Sequence, residues 1–452
     1  MPTRGRALAA LGAVAGAAAL PRRAVAEDVD VRAAARDGYI FGYPLVLMMV
    51  TKRIINAGSG GAFVHMLSGP APPFKLVVAP NGDTRYSSVW ADLSAEPQVL
   101  HVPDAGGRYF VAQVMDAWTD VIADPTPRLA GSAPGDYAIA GSAWNGTLPR
   151  GVRLVRSSTN DVWILARTRA RADDPPDAIS AIQRAYALTP LSRYGDASYH
   201  GASLFRDPNV ATPVPPAIVD AMSTDGFFAG LVAALARNLP RPADAPIVAR
   251  LRAASLLPAA PDGPWAFGLA RNAAAAQGVA DARAFLATYD PPDVPHVNGW
   301  RYTRDTGRFG TNYAYRALIA RTLLAANLPE DAVYAEAGVD AHGARLSGTR
   351  SYALRFAANA LPPANAFWSL TLYTPDGYLA PNPIDRYTLR DRALRRNADG
   401  SIDVAIAHDA PAGDTTNWLP APAGPFVVML RMYWPGPAAI AGTYAIPPIE
   451  PR

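Results

Sequence analysis

Apolar residues along this chain change period three times, and the order of those changes predicts the architecture. Over residues 28–56 they recur at helical spacing, with Ile40, Phe41, Tyr43, Leu45, Leu47 and Met48 on an apolar-aromatic face and Pro44 placed to kink the helix. Over 85–169 the pattern becomes short strands at 86–90, 98–102, 109–115, 137–140 and 162–166, parted by Pro, Gly, Asp and Asn at turn-like spacing. That is the texture of an antiparallel sandwich or barrel. Alanine-rich helical spacing returns at 177–194, 226–238, 246–257 and 280–289, and the strongest helix pattern covers 311–328. Beyond Ala332 strands resume at 352–356, 366–373, 402–407 and 426–433. The class is α+β, with divisions expected at 27–170, 171–330 and 331–452.

The first 26 residues follow a different logic. Arg4 and Arg6 give a positive start, residues 7–20 are small and apolar, and Ala24-Val25-Ala26 forms a small-x-small cleavage site before Glu27. At about 1.5 Å per residue the apolar run falls short of a hydrocarbon core of roughly 30 Å, so a cleavable signal peptide is favoured over an anchor. The expected location is periplasmic. Gly5 separates the two arginines, and both the Sec and Tat routes stay open. No later apolar run is expected to reach membrane-spanning length.

Composition changes meaning once that peptide is set aside. Of 42 basic residues, Arg4, Arg6, Arg22 and Arg23 precede Glu27, whereas none of the 38 acids does, so the remaining balance is even. A nucleic-acid or anionic-membrane partner calls for a surviving excess of positive charge; neither is expected. Lys52 and Lys75 are the only lysines, which base composition of the genome explains. Zero cysteines exclude disulfides, thiolate nucleophiles and thiolate metal sites.

The two strand zones read as versions of one unit. In the first, a strand ending at Leu93 leads through a Pro-containing link and Gly106-Gly107 to the strand 109–115 and Asp116. In the second, 352–356 leads through Leu361-Pro362-Pro363 to 367–373 and Pro375-Asp376-Gly377. Each reaches a Leu-Pro turn, at Leu148-Pro149 or Leu419-Pro420, before a closing strand that ends at Arg167 or Arg431. Duplication of a sandwich accounts for this order, and shared turn chemistry is the alternative.

Several of these segments also carry a family resemblance. Asn81-Gly82-Asp83-Thr84-Arg85-Tyr86, Trp90-Ala91-Asp92-Leu93 and Asp116-Ala117-Trp118-Thr119 resemble domain-of-unknown-function family 1254. Gly310-Thr311-Asn312-Tyr313 with Arg316-Ala317, residues 366–373, Asn417-Trp418-Leu419-Pro420 and Arg431-Met432-Tyr433-Trp434-Pro435 resemble family 1214. The resemblance implies an exported bacterial tandem covering nearly all of the chain beyond residue 26, with β-sandwich domains, the second jelly-roll-like. It implies no reaction and no catalytic residue. The expected fold is therefore two antiparallel, jelly-roll-like β-sandwich domains with a helical N-terminal segment and a helical middle region.

Standard catalytic signatures are missing from the sequence. It has no Gly-x-Ser-x-Gly elbow, and neither lysine follows a glycine-rich phosphate loop. The histidines, His65, His101, His200, His296, His342 and His408, are scattered without metal-ligand spacing. No metal and no cofactor is expected. His101 and His408, in strand pattern, read as hydrogen-bonded structural residues.

Two polar-aromatic clusters remain. The denser one is Asn81, Asp83, Thr84, Tyr86, Trp90 and Asp92, followed by Asp116, Trp118 and Asp120. Strand alternation puts Tyr86, Ser88 and Trp90 on one face with Asp92 at its end, and puts Asp116, Trp118 and Asp120 on another. Aromatic faces beside carboxylates suit a saccharide, and paired carboxylates about 5 to 10 Å apart serve glycoside hydrolysis. The structural alternative is that Asn81-Gly82-Asp83-Thr84 is a turn and the tryptophans are core.

The second cluster is Asn312, Tyr313 and Arg316 at a helix start, suited to an anionic ligand, with Arg386, Asn417, Trp418 and Arg431 able to complete it. A helix-to-sheet hydrogen-bond network explains it equally well. Two functions follow. One is a periplasmic protein binding a polar small molecule or saccharide through Asn81, Tyr86, Trp90, Trp118, Asn312, Tyr313, Arg316, Arg386 and Trp418. The other is a hydrolase using Asp83, Asp92 and Asp116. Jelly-roll domains often pack side by side, so a homo-oligomer is compatible with the fold, although no heptad pattern requires one.

Overall fold

In the computed structural model, which describes residues 30–130, 134–171, 173–175, 177–260 and 272–452, Asp30 opens the first helix, α1 (Val31–Ser59), by accepting the Ala33 amide at 3.0 Å. The expected signal peptide at 1–26 lies outside the described residues. Gly60 closes α1 in a left-handed conformation at φ 58°. Pro44 does not interrupt the helix. Every residue from 38 to 48 is buried, the signature of a helix that is apolar all round because its neighbours surround it.

Length and composition would let α1 cross a membrane, which corrects the expectation that no run beyond residue 26 approaches spanning length. The fold uses it as core instead, with 78 % of its most apolar window buried inside the protein. Two short helices, α2 (Pro127–Ala130) and α3 (Ala178–Ala185), lie elsewhere. Around α1 pack α4 (Pro215–Asp220), α5 (Thr224–Arg237), α6 (Ala245–Ala253), α7 (Asn272–Thr288) and α8 (Tyr313–Leu323). Close approach needs glycine. A Cβ on Gly38 would meet Leu251 Cδ2 at 2.5 Å, and one on Gly42 would meet Leu231 Cδ2 at 2.8 Å.

The first β unit comprises β1 (Phe63–Met66), β2 (Thr84–Asp92), β3 (Gln98–Val102), β4 (Phe110–Asp116), β5 (Val121–Ala123), β6 (Gly135–Gly141), β7 (Arg153–Ser157), β8 (Asp161–Arg169) and β9 (Ala187–Pro190), with β10 (Ser203–Arg206) at an edge. The second comprises β11 (His296–Val297), β12 (Trp300–Thr303), β13 (Ala332–Ala337), β14 (Tyr352–Phe356), β15 (Ala364–Tyr373), β16 (Thr388–Arg390), β17 (Ile402–Ala407), β18 (Trp418–Pro420), β19 (Val427–Pro435) and β20 (Glu450–Pro451). The larger sheets run β10-β1-β2-β8-β4-β5 and β11-β12-β13-β19-β15-β16; the smaller run β7-β6-β3-β9 and β18-β17-β14-β20.

From β1 to β9 and from β12 to β20 the two orders superimpose strand for strand. Even the parallel pair matches, β6 with β7 and β17 with β18, among otherwise antiparallel neighbours. Turn chemistry does not set sheet order, so this repeat favours duplication. It also re-registers the sequence comparison: the counterpart of 352–356 is β3 at 98–102, not the strand ending at Leu93. Leu419-Pro420 lies inside β18, whereas Leu148-Pro149 precedes β7.

Each larger sheet is buried on both faces. In the first, Val89, Val114 and Ile164 face the smaller sheet while Tyr86, Met115 and Trp163 pack on the helices. In the second, Leu370, Leu430 and Val333 form the sandwich core. Its outer face carries Tyr334, Phe367, Tyr373, Met429 and Tyr433.

The helix expected over 177–194 stops at Ala185, and 187–190 becomes β9 because it completes the smaller sheet against β3. The helix expected over 311–328 is confined to Tyr313–Leu323. Strands β1, β10 and β12 were not legible, being short and set among glycines, serines or prolines, and β10 joins β1 in parallel from far along the chain. The antiparallel expectation thus fails at that pair too.

His65 ties three of these strands together. Its Nδ1 lies 2.8 Å from Ser87 Oγ on β2 and its Nε2 lies 2.9 Å from Ser203 Oγ on β10, with the ring packed between Phe63 and Phe205. Burial, with Arg184 adding to it, lowers its pKa to about 4. The unfolded chain binds a proton there first, so stability present above pH ~6.5 is lost as pH falls toward 4, by about 3 kcal/mol. Urea denaturation across that window should show the loss, and His65→Gln should flatten this part of the profile.

Candidate functional site

The segment before β2 is a plug. Asn81 Oδ1 accepts the Asp83 amide at 2.5 Å, Asn81 Nδ2 donates to Thr84 Oγ1 at 2.9 Å, and the Asn81 amide donates to Tyr86 Oη at 3.0 Å. This Asx turn projects Asp83 into the outer face of the second sheet. There Ser369 Oγ donates to its Oδ2 at 2.6 Å, Tyr433 donates to the same oxygen at 3.1 Å, and Arg390 Nε donates to Oδ1 at 3.1 Å. Asp83 is 2 % exposed, so the carboxylate is a buried strut between the β units.

The carbonyls just ahead of Asn81 are held by the second unit: Arg431 donates to Ala79 O at 2.8 Å and Tyr373 to Pro80 O at 2.7 Å. The loop before β13 is held by the first unit in the same manner. Arg167 donates to Ala325 O at 2.6 Å and Gln113 to Ala326 O at 2.7 Å, while the Asn327 amide donates to Tyr334 Oη at 3.0 Å. Ala79 and Ala325 both have positive φ, 51° and 65°. The repeat thus extends to a reciprocal exchange of loops.

The 116–120 segment is a turn, not a continued strand, and Thr119 sits at φ 69°. This corrects the shared strand face assigned to Asp116, Trp118 and Asp120. Asp116 Oδ1 accepts the amides of Trp118 and Asp120 at 2.9 and 3.0 Å. Burial, reinforced by the charge of Asp120, pushes its carboxyl up to about 7. Trp118 is fully buried against Phe41, with its indole N–H on Leu239 O at 3.2 Å.

The structure does bring this turn and the α8 start together. Asp120 Oδ2 accepts from Arg241 at 2.7 Å and from Arg316 at 3.2 Å, and Tyr313 donates to Asp244 Oδ1 at 2.9 Å. Asn312 caps α8 by accepting the Tyr315 amide at 3.1 Å. Arg316 has a fully buried side chain whose Nε and one terminal nitrogen lack partners among the described residues. The result is a helix-to-sheet charge network.

The remaining expected residues lie apart. Asp92 ends β2 at the surface, accepting from Ser94 and from Arg237 at 2.8 Å. Trp90 stacks on Trp163 with centroids 5.4 Å apart. Arg386 donates to the carbonyls of Thr415 and Trp418, and the Trp418 indole donates to Ala407 O, so both brace loops of the second sandwich. Asp83, Asp92 and Asp116 therefore occupy three separate settings. A carboxyl pair with a raised pKa does exist, between Asp124 and Asp331. Burial, then the hydrogen bond and charge of Asp331, pushes Asp124 up to about 8, and Arg128 joins both.

A cleft of about 530 Å³ opens where α4 and α8 face the second sheet, within the size range of small-molecule sites. Arg301 and Glu336 are cross-strand partners on its floor. Arg321 pairs with Asp220 at 2.9 Å on one wall, and Lys75 sits 4.0 Å from the Tyr378 ring centroid on another. Glu336 makes no side-chain hydrogen bond or ion pair among the described residues, and burial raises its pKa against the pull of Arg301 and Arg431.

Residues 61–190 match the family model described as protein of unknown function DUF1254, and residues 331–437 match protein of unknown function DUF1214. The chain is a DUF1254–DUF1214 tandem. No curated protein matches it. Among solved structures it is similar to the VPA0106 protein from Vibrio parahaemolyticus, at 22 % identity and TM-score 0.67 over 93 % of this chain and 100 % of that one, which shows a shared fold. An uncharacterized protein from Burkholderia cenocepacia aligns at 14 % identity and TM-score 0.42, over 92 % and 87 %, too distantly to bear on the fold.

The DUF1254 match encloses β1 through β9, and the DUF1214 match encloses β13 through β19. The three expected aspartates all lie in DUF1254. The cleft draws Glu336, Tyr373 and Tyr378 from DUF1214, Lys75 from DUF1254 and Arg301 and Arg321 from between the two matches. Register alone pairs Arg301 with Glu336, so no local motif announced them. Asp83→Ala leaves Ser369, Tyr433 and Arg390 without their acceptor and should cost about 3–5 kcal/mol in chemical denaturation. Asp92→Ala, at the surface, should cost about 1 kcal/mol or less.

Proposed function

We propose that the tandem is an exported periplasmic binding protein and that the cleft beside α8 receives a small, hydroxyl-rich polar molecule such as a saccharide. The observation that carries this reading is the Glu336 carboxyl, half-buried in a cleft of ligand size with no side-chain hydrogen bond or ion pair among the described residues. A ligand that closes over a polar group has to bond it, because one sealed from water without a partner costs roughly 1–3 kcal/mol. The Glu336 carboxylate oxygens are free to accept hydrogen bonds from ligand hydroxyls, and burial, which raises the group's pKa, favours the protonated form that can also donate. Tyr373 and Tyr378 supply ring surface for C–H patches, and Lys75, Arg301 and Asp220 supply further polar contacts.

Paired-carboxylate hydrolysis is less well supported, because Asp83, Asp92 and Asp116 each cap a turn or brace an interface with neighbours of their own. Export rests on the signal-like residues 1–26.

Calorimetric titration of the processed protein with a panel of mono- and oligosaccharides and polyols is the test. A saturable hit should weaken about tenfold in Glu336→Leu, as expected for a lost buried hydrogen bond, and be recovered chemically unchanged. A hit that is consumed would replace binding with hydrolysis, and a panel without any hit would sink the assignment. N-terminal sequencing of the periplasmic protein should begin at Glu27. A chain retained in the cytoplasm with its start intact would end the export reading.

A further inference from the structure

The two arginines of the loop exchange lack acidic partners. Arg167 on β8 and Arg431 on β19 are 6 % and 1 % exposed, and neither forms an ion pair among the described residues. Arg167 gives one terminal nitrogen to Gln113 Oε1 and Asn327 Oδ1, both at 2.7 Å, and the other to Ala325 O. A guanidinium carries five N–H donors, so two remain. Arg431 donates to Thr371 Oγ1 at 3.1 Å and to Ala79 O. Asp83, whose field reaches Arg431, has its oxygens engaged by Ser369, Tyr433 and Arg390.

Both arginines line one cavity of about 50 Å³ at the junction of the two β units, together with Asn81 and Asn327 and the apolar Met66, Leu76 and Leu165. Burying cations without counter-charge is expensive, and carboxylates match guanidinium geometry. The volume admits roughly three to five water-sized positions at about 10–15 Å³ each, the size of a molecule with four or five non-hydrogen atoms. The apolar side offers no donors to a tetrahedral oxyanion. A planar head with a short alkyl end fits both halves of the lining.

We propose that this cavity binds a short monocarboxylate of two or three carbons, its oxygens shared between Arg167 and Arg431 and its alkyl end toward Met66, Leu76 and Leu165. The site is separate from the larger cleft, since Val78, Ala79 and Leu323 form the wall between them. Its failure would leave the reading of the cleft untouched, and the converse holds.

Titration calorimetry and thermal shift at fixed ionic strength, with the processed protein, test it using acetate, propionate, acetamide and octanoate. Acetate and propionate should bind saturably and raise Tm. Acetamide, the neutral isostere, and octanoate, too long for the cavity, should do neither. Arg167→Met should weaken acetate about tenfold or more, the scale of a charge-assisted hydrogen bond. Because that variant also strips Asn327 and Ala325 of their donor, Val77→Phe provides a second one. It fills the cavity from a partly exposed wall, keeps both guanidiniums and should abolish acetate binding. Acetamide binding as tightly as acetate, acetate binding untouched by Val77→Phe, or no saturable acetate binding would each overturn the proposal.

Discussion

The exchange of carbonyl acceptors between the β units is the constraint on which the rest of the molecule depends. Arg431 and Tyr373 grip Ala79 and Pro80, and Arg167 and Gln113 grip Ala325 and Ala326. Both alanines adopt a left-handed backbone that costs an L-residue roughly 1–2 kcal/mol. Such strain persists only where surrounding bonds over-determine it. Each loop has a tyrosine of its own unit bonded to the following asparagine amide, but the carbonyls at the strained alanines are held from the opposite unit, so each larger sheet helps to keep the approach to the other's second strand in place. The two units interlock and behave as halves of one core.

That interlock positions both candidate sites. The segment carrying Ala79 divides the small arginine-lined cavity from the open cleft. On the outer face of the second sheet, Arg431 and Glu336 occupy alternate rows, with Tyr334 and Met429 as their cross-strand partners. A single strand pair thus sends a cation to the small cavity and a carboxyl to the larger cleft.

Much of the architecture was legible because its signals are local. Strands 98–102, 352–356 and 402–407 match β3, β14 and β17 because alternation and turn residues bracket them closely. The first helix announced itself by period. What escaped depends on distant partners. Ala187 to Pro190 are extended because β3 has a free edge, and the Asp116 turn depends on Thr119 in a conformation that favours glycine. The Asn81–Tyr86 motif stood out from the chain, yet its targets, Ser369, Tyr433 and Arg390, lie 286, 350 and 307 positions from Asp83. Aromatic and acidic residues at regular spacing therefore described an interface as faithfully as they would have described a binding surface.

The enclosure of α1 bears on the order in which the chain is made. This helix precedes every strand, yet the helices that cover it, α4 to α8, begin only at Pro215. The first sandwich, whose Tyr86, Met115, Trp118 and Trp163 cover one side of this helix, is synthesised while the side that packs on the other helices waits uncovered. Contacts of such long sequence separation slow folding and leave sticky surface exposed meanwhile. Until the helical middle region has been made, the uncovered side of α1 is apolar surface open to chaperones, lipid or other chains.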